Sequence, residues 1–300
     1  MSTCQRHITV CICTYQRPAW LKRLLEALEE QETSNLFSFS VVVADNDVAA
    51  SGEEVVLSFA SRSNLQVKYC REPIRNIALA RNQAIKHAHG EFIAFIDDDE
   101  FPSRDWLAKL LQTCDQYSSA GVLGPVRPHF AETPPKWVLA GRFCERPEQP
   151  TGTIMKWSAC RTGNVLLRRS ILAGIEEPFD PEFGTGAEDK DFFMRMSRRG
   201  CVFVWCNEAV TFETVPPSRW TRRYMFKRAL LRGRNVLKHR GVRTRLVMKS
   251  IIAAPLYSLI LPLTLLCGQH IFMKYGIRFC DHLGRLLALI GINPIRERQM

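Results

Sequence analysis

Four consecutive acids, Asp97-Asp98-Asp99-Glu100, follow the apolar run Phe92-Ile93-Ala94-Phe95-Ile96. Unpaired carboxylates are very costly to bury, so such a run must meet either solvent or a counter-charge. An apolar strand that ends in these acids delivers them to the C-terminal edge of a sheet, where ligands of open α/β sheets bind. The counter-charge suited to oxygen ligands is a divalent cation, Mg²⁺ or Mn²⁺, carrying a phosphate on its open positions. A solvated acidic turn is the other reading, and spacing alone leaves both standing.

Two more acid groups sit at element ends. The apolar stretch Phe39 to Ala44 runs into Asp45-Asn46-Asp47, and Gly184 and Gly186 lead into Glu188-Asp189-Lys190-Asp191. That last segment continues as Phe192-Phe193-Met194-Arg195-Met196, a helical pattern. Its apolar members face a core, which leaves Glu188 and Asp189 in the first turn, near the positive end of the helix dipole. Ordinary N-terminal acids of a surface helix give the same pattern.

The elements that must position these acids alternate. Residues 7–13 read as a buried strand, and Pro18 stands at the first position of a helix with Leu21, Leu24, Leu25 and Leu28 at helical spacing. A helix through Val55, Val56 and Phe59, a short strand over Leu65–Cys70 and a helix over Arg75–His87 follow. The strand Glu91–Ile96 then brings the acid run, and Trp106–Leu111 the next helix. Such alternation predicts a mostly parallel sheet covered by helices on both faces. Six of the sixteen prolines lie between Pro125 and Pro150, which predicts a long irregular excursion. Trp137 and Trp157 flank it, suited either to stacking on a sugar ring or to core anchoring. Gly163-Asn164-Val165-Leu166-Leu167 resumes a strand, with a short helix over Arg168–Leu172.

The chain of 300 residues has a net charge of +11, but the excess is local. Between Thr214 and Lys249 there are twelve Lys and Arg and no acid; the remaining 29 bases face 30 acids. A basic segment beside an apolar run points to an anionic surface rather than to nucleic acid. No zinc-finger, RNP or helix-turn-helix signature supports nucleic-acid binding either. Eleven cysteines without CxxC spacing, and no apolar leader at the N-terminus, predict reduced thiols in a cytosolic setting.

In combination, several motifs resemble the family 2 glycosyltransferases of the GT-A fold, over roughly residues 7–235. They are Val10-Cys11-Ile12-Cys13-Thr14-Tyr15, Val43-Ala44-Asp45-Asn46, Ala80-Arg81-Asn82, Asp97-Asp98-Asp99 and Gly186-Ala187-Glu188-Asp189. Within the family the chain is most similar to bacterial succinoglycan-type exopolysaccharide glucosyltransferases. Val42-Val43-Ala44-Asp45-Asn46-Asp47, Gly124-Pro125-Val126-Arg127 and Phe212-Glu213-Thr214-Val215-Pro216 carry that closer match. The resemblance implies a Rossmann-like, mixed, mostly parallel α/β sheet and an inverting, metal-dependent transfer of one sugar, glucose, from a UDP-sugar. The acceptor it implies is a lipid-linked oligosaccharide or glycan, in exopolysaccharide synthesis. Processive relatives carry Gln-x-x-Arg-Trp; Ser218-Arg219-Trp220 here lacks the Gln, which implies single addition.

The roles it implies are specific. Asp99 is the firmer ligand for Mn²⁺ or Mg²⁺, with Asp97, and Glu213 stands where many relatives place a further His ligand. Thr14, Tyr15, Arg17, Asp45, Arg81, Asp97 and Asp98 would surround the nucleotide-sugar, Asp45 at the uracil edge and Asp97 near the ribose. Asp189 is the base, Glu188 its support and Asp191 the alternative base. Trp137, Trp157, Gly163 and Asn164 are acceptor candidates. The expected division is a catalytic domain over 1–218, with a nucleotide-sugar half to about 126 and an acceptor half over 127–218, then a membrane-associated region over 219–300. A membrane-surface nucleotide-sugar-binding protein without transferase activity is one alternative, which retention of every acid the reaction needs opposes. A nucleotidyltransferase is another, and GxGxxG and GxxxxGK[ST] loops are missing from the sequence.

The C-terminal third is read as the tie to the cytoplasmic membrane face. Ile251 to Cys267 is an uncharged run, somewhat short of the roughly 20 residues that a span needs. Pro255 and Pro262 are expected to interrupt it, and Leu286–Ile292 is shorter still, so a short or re-entrant span or an interfacial helix is expected. A buried core helix is the alternative. Arg219, Arg222, Arg223, Lys227, Arg228, Arg232, Arg234, Lys238 and Arg240, with Trp220, Tyr224 and Phe226, favour an anionic leaflet; Arg219 is the candidate among them for the donor diphosphate instead.

Overall fold

The computed structural model describes residues 6–184, 186–235 and 243–292. Two compact units emerge: residues up to Pro128 together with Arg146–Thr214, and His129–Glu145 together with Val215 onward. The expected cut after 218 treats the boundary as a single point in sequence. The second unit instead takes in 129–145, because Val138 shares an apolar cluster with Val215, Trp220, Met225 and Met273.

The first unit is built on β1 (Arg6–Thr14), β2 (Phe37–Asp45), β3 (Val67–Arg71) and β4 (Phe92–Asp97), all parallel. The strands β5 (Glu100–Pro102), β6 (Gly121–Leu123), β7 (Val126–His129), β8 (Asn164–Arg168), β9 (Phe203–Trp205) and β10 (Thr211–Thr214) follow. Seven of these ten form one sheet in the order β3-β2-β1-β4-β8-β6-β9, in which β8 runs antiparallel to both β4 and β6. The sheet is therefore mixed and mostly parallel. β5, β10 and β7 make a second, three-stranded sheet that the linear reading did not foresee.

Strand alternation sorts the core onto two faces. Ile8, Val10, Ile12, Val41, Val43, Phe92, Ala94 and Ile96 pack under α1 (Pro18–Glu29), α2 (Glu53–Ala60) and α4 (Trp106–Gln116). Cys11, Val42, Ala44, Ile93 and Phe95 face α3 (Ile77–His87) and α6 (Glu188–Arg198). α3 begins two residues later than expected because Asn76 caps it, its side chain accepting from the Ala78 and Leu79 amides. The segment expected as a helix over 168–172 is the end of β8 followed by a 3-10 turn, Arg169–Leu172.

The second unit holds α5 (Lys136–Gly141), α7 (Arg222–Asn235), α8 (Arg243–Thr264) and α9 (Gln269–Leu289). α7 and α9 cross so closely that a Cβ on Gly233 would lie 2.2 Å from the Asp281 carbonyl, and one on Gly284 2.3 Å from that of Leu230. Arg232 ties the same crossing by pairing with Asp281 (Nε–Oδ1 2.8 Å). The prolines do not interrupt α8: the helix continues through Pro255 and Pro262 for 22 residues. Each proline removes one amide donor, yet the helix keeps its path; Ser258 donates to the Pro255 carbonyl at 2.7 Å and Thr264 to that of Leu261 at 2.6 Å. At 1.5 Å per residue such a helix is about 33 Å long. Its apolar stretch Leu246–Thr264 has a mean hydropathy of 1.8 and is only 11% buried, unlike a core helix. Arg222, Arg223, Lys227, Arg228 and Arg232 are exposed on α7; Lys238 and Arg240 lie outside the described residues.

Candidate active site

The strand register places the acids. Asp45 pairs across from Thr14, and Asp97 across from Cys13, so β2, β1 and β4 release their last residues at one edge. The Asp45 carboxylate is held there by three donors: the Asp47 amide at 3.1 Å, the Gly52 amide at 2.7 Å and the Tyr69 hydroxyl at 3.1 Å. Burial, with Asp45 beside it, raises the Tyr69 phenol, which therefore remains a donor. Next to it the half-buried Tyr15 ring is covered on one side by Arg75, whose guanidinium carbon lies 4.7 Å from the ring centre.

The acid run splits into distinct environments. Asp98 is buried and receives Thr14 Oγ1 at 2.9 Å and Arg17 Nη1 at 2.8 Å. It is thus a clamp between β4 and the turn after β1 rather than an open ligand. Burial lifts its carboxyl to about 6, with Arg17 opposing. Asp99, also buried, lies 3.6 Å from the same Arg17, and its carbonyl accepts from the Thr214 amide at 2.7 Å. Asp97 points outward, its side chain 44% exposed, with Arg81 Nη2 at 3.7 Å. Partial burial raises Asp97, Arg81 opposes the rise, and Asp99 adds to it.

Glu100, the last acid of the run, was given no role of its own from sequence, and Arg146 was not singled out. Glu100 is buried; Oε2 accepts from Thr211 Oγ1 at 3.0 Å, and Oε1 has no hydrogen-bond partner. Burial pushes this carboxyl well up, Asp97 adds to the shift and Arg146 opposes it. Glu213 stands across from Glu100 in the β10–β5 register and pairs with Arg146. The only available signal was the fourth acid in the run; Arg146 sits in an aperiodic, proline-rich stretch. Gly163 leaves the space these groups need, since a Cβ there would lie 2.7 Å from Glu100 Oε1 and 3.0 Å from Asp97 Oδ2.

The Ala80-Arg81-Asn82 stretch organises the opposite wall. Asn82 exchanges two bonds with the Phe179 backbone, at 2.7 and 2.9 Å, and Asn76 donates to the Pro181 carbonyl at 2.9 Å. These contacts pin the segment that enters α6, where Gly186 (φ +125°) and Ala187 (φ +82°) turn the backbone through the left-handed region. Arg81 then pairs with the buried Glu188. Burial raises Glu188, and the guanidinium pulls it back. Asp189 is half-buried, its Oδ1 accepting from the Lys190 amide at 2.7 Å. Asp191, the alternative base, is buried and bound to Arg195 Nε at 2.7 Å, which leaves Asp189 the more accessible of the two.

The acceptor candidates do not form one group. Asn164 is tied into the sheet end, accepting from Trp106 Nε1 at 2.8 Å and donating to the Pro125 and Ala209 carbonyls at 3.0 and 2.8 Å, so neither amide hydrogen remains for an acceptor. Trp157 packs on the α3–α6 face of the core. Trp137 belongs to the second unit and packs on Phe143, ring centres 5.6 Å apart. Core anchoring is what both tryptophans display.

Comparison with known proteins settles the family. The profile of glycosyl transferase family 2 matches residues 9–175. Succinoglycan biosynthesis protein ExoM of Rhizobium meliloti is 31% identical over 97% of this chain and 95% of its own length. The chain belongs to glycosyltransferase family 2. It is a glycosyltransferase with the GT-A fold. The crystal structure of residues 1–349 of S. aureus TarS superposes with a TM-score of 0.55 at 15% identity, over 98% of this chain and 97% of that one. TarS has also been solved with UDP and with UDP-GlcNAc. A mannosyltransferase from Pyrobaculum calidifontis, in complex with GDP-Man and Mn²⁺, superposes with a TM-score of 0.57 at 18% identity, over 96% of this chain and 74% of that one. At such identities the likeness is one of fold.

Among the described residues no three His, Cys, Asp or Glu side chains form a ready metal cage. The acid edge nevertheless fits a divalent cation. The unpartnered Glu100 Oε1 provides an oxygen, and Asp97 Oδ2 stands over the same glycine, Gly163. One or two carboxylates plus substrate phosphates are a usual ligand set for Mg²⁺.

Proposed function

We propose that this enzyme transfers a single hexosyl group, glucose in the first instance, from a UDP-sugar to a lipid-linked oligosaccharide or glycan, with inversion. The observation that carries the reading is the strand register that delivers Asp45 and Asp97 to one sheet edge. Asp45, preset by its three donors, accepts from the nucleobase edge, and Tyr15 offers a ring for stacking. Asp97 and Asp99 would hold Mn²⁺ or Mg²⁺, with Glu213 in reach once Arg146 releases it. Such an ion, when bound, stabilises the charge that builds on the leaving diphosphate.

Asp189 takes the proton from the acceptor hydroxyl as that oxygen attacks the anomeric carbon from the face opposite the leaving group. Glu188, fixed by Arg81, holds the first turn of α6 so that Asp189 keeps its direction. The exposed apolar face of α8 and the bases of α7 support attachment to the cytoplasmic membrane face, where a lipid-linked acceptor is found. α8 is long enough to span as well as to lie in the interface.

A donor screen tests the proposal: UDP release is measured with several UDP-sugars and lipid-linked acceptors, with and without chelator. Release from one UDP-hexose that requires acceptor and is abolished by chelator is the expected result. Release from none, or release unaffected by chelator, contradicts the substrate class or the metal dependence respectively.

A further inference from the structure

Glu100 and Glu213 face each other directly across the β5–β10 pair, an arrangement of like charges that destabilises a sheet unless something neutralises it. Asp97 approaches the same space, since it and Glu100 both border the gap above Gly163. Arg81 and Arg146 both act on these carboxylates. Arg81 reaches Asp97 at 3.7 Å but is committed to Glu188. Arg146 is bound to Glu213, and its charge also bears on Glu100 and Asp97. Glu100 Oε1 is left without a hydrogen-bond partner in this cluster. Arg146 comes from residues 145–150, which form neither helix nor strand, so its backbone is not locked by a ladder of hydrogen bonds.

We propose that Arg146 is the resident counter-cation of this cluster, holding Asp97, Glu100 and Glu213 together before a divalent cation arrives and competing with that cation for them. The inference rests on the metal-dependent reading above. Cation and guanidinium are then alternatives at Glu213, and the affinity of the empty enzyme for the ion is set partly by how firmly Arg146 holds its place.

The test is binding of Mn²⁺ alone to the full-length protein, read from the free-ion EPR signal, together with melting in EDTA. R146Q is expected to bind Mn²⁺ about tenfold more tightly than wild type, since a competing unit charge has gone, whereas R146K stays within about threefold. In EDTA R146Q melts below wild type, and Mn²⁺ closes that gap. Unchanged or weaker Mn²⁺ binding by R146Q overturns the role of Arg146. Should R146Q fail to fold, E213Q decides: removal of one acid is expected to weaken Mn²⁺ binding about tenfold, and unchanged affinity overturns the proposal. Absence of Mn²⁺ binding by wild type, with and without UDP, overturns the metal reading itself. UDP-dependent Mn²⁺ binding with no difference between wild type and R146Q overturns only the present inference.

Discussion

Arg81 and Glu188 lie 107 residues apart in sequence and pair in the interior, the second oxygen of Glu188 remaining without a hydrogen-bond partner. The pair joins α3 to the first turn of α6. Breaking it from one side leaves a buried carboxylate with no counter-charge, which costs roughly 3–5 kcal/mol. Arg81→Met should therefore lose about that much stability in urea denaturation, and adding Glu188→Gln should recover a clear part of it. A double variant no more stable than Arg81→Met would show that the pair is not what holds this wall.

Gly163 supplies a second test. Its missing side chain leaves the space bordered by Glu100 and Asp97, so Gly163→Ala forces one carboxylate aside. Overpacking of this kind typically costs about 1–3 kcal/mol. The expected outcome is a folded protein, less stable by that order, with weakened Mn²⁺ binding. Wild-type melting and Mn²⁺ affinity would mean that the gap plays no part.

Acid stability has a separate origin. His7 is bonded to Ser38 and Ser40 at 2.8 and 2.9 Å and stacks on His89, ring centres 4.4 Å apart. Burial and His89 lower its pKa below the usual 6.5. Between the folded and unfolded values the unfolded chain binds more protons, so this contribution is present above pH 6.5 and is lost as pH falls through the folded value. Melting temperature should drop on acidification from pH 7.5 to 5.5, and less so in a His7→Gln protein. An equal drop in both would remove His7 as the cause.

Much of this was legible in the sequence, for physical reasons. Strand alternation and strand-end acids are local patterns, so the parallel sheet and the placement of Asp45 and Asp97 could be read directly. The small sheet β5-β10-β7 could not, because its strands are three to four residues long and β10 joins partners lying far back in the sequence, Glu100–Pro102 and Val126–His129. Arg146, and the place of Glu100 opposite Glu213, became visible only with that sheet. Asn164 and the tryptophans looked like acceptor residues because side-chain type does not reveal that a partner is already engaged. α8 was expected to break because proline removes a donor; the loss of one amide at each of Pro255 and Pro262 does not stop the helix.

Membrane attachment should depend on both halves of the second unit. Each base near an anionic leaflet contributes on the order of 1 kcal/mol. Full-length protein should float with anionic vesicles and be only partly released by high salt. Changing Arg222, Arg223, Lys227 and Arg228 to Gln should make the remaining binding less sensitive to salt, since fewer bases then meet the leaflet. Full-length protein that stays wholly unbound at physiological salt contradicts the assignment.

The most direct test of the central claim is calorimetry with a UDP-hexose on wild type and Asp189→Asn, run beside a transfer assay. In the proposed mechanism Asp189 meets the acceptor and not the donor, so the variant should bind the donor within about threefold of wild type while transfer falls about a thousandfold, as loss of a general base predicts. Transfer retained in Asp189→Asn, or donor affinity lost with it, would contradict the account.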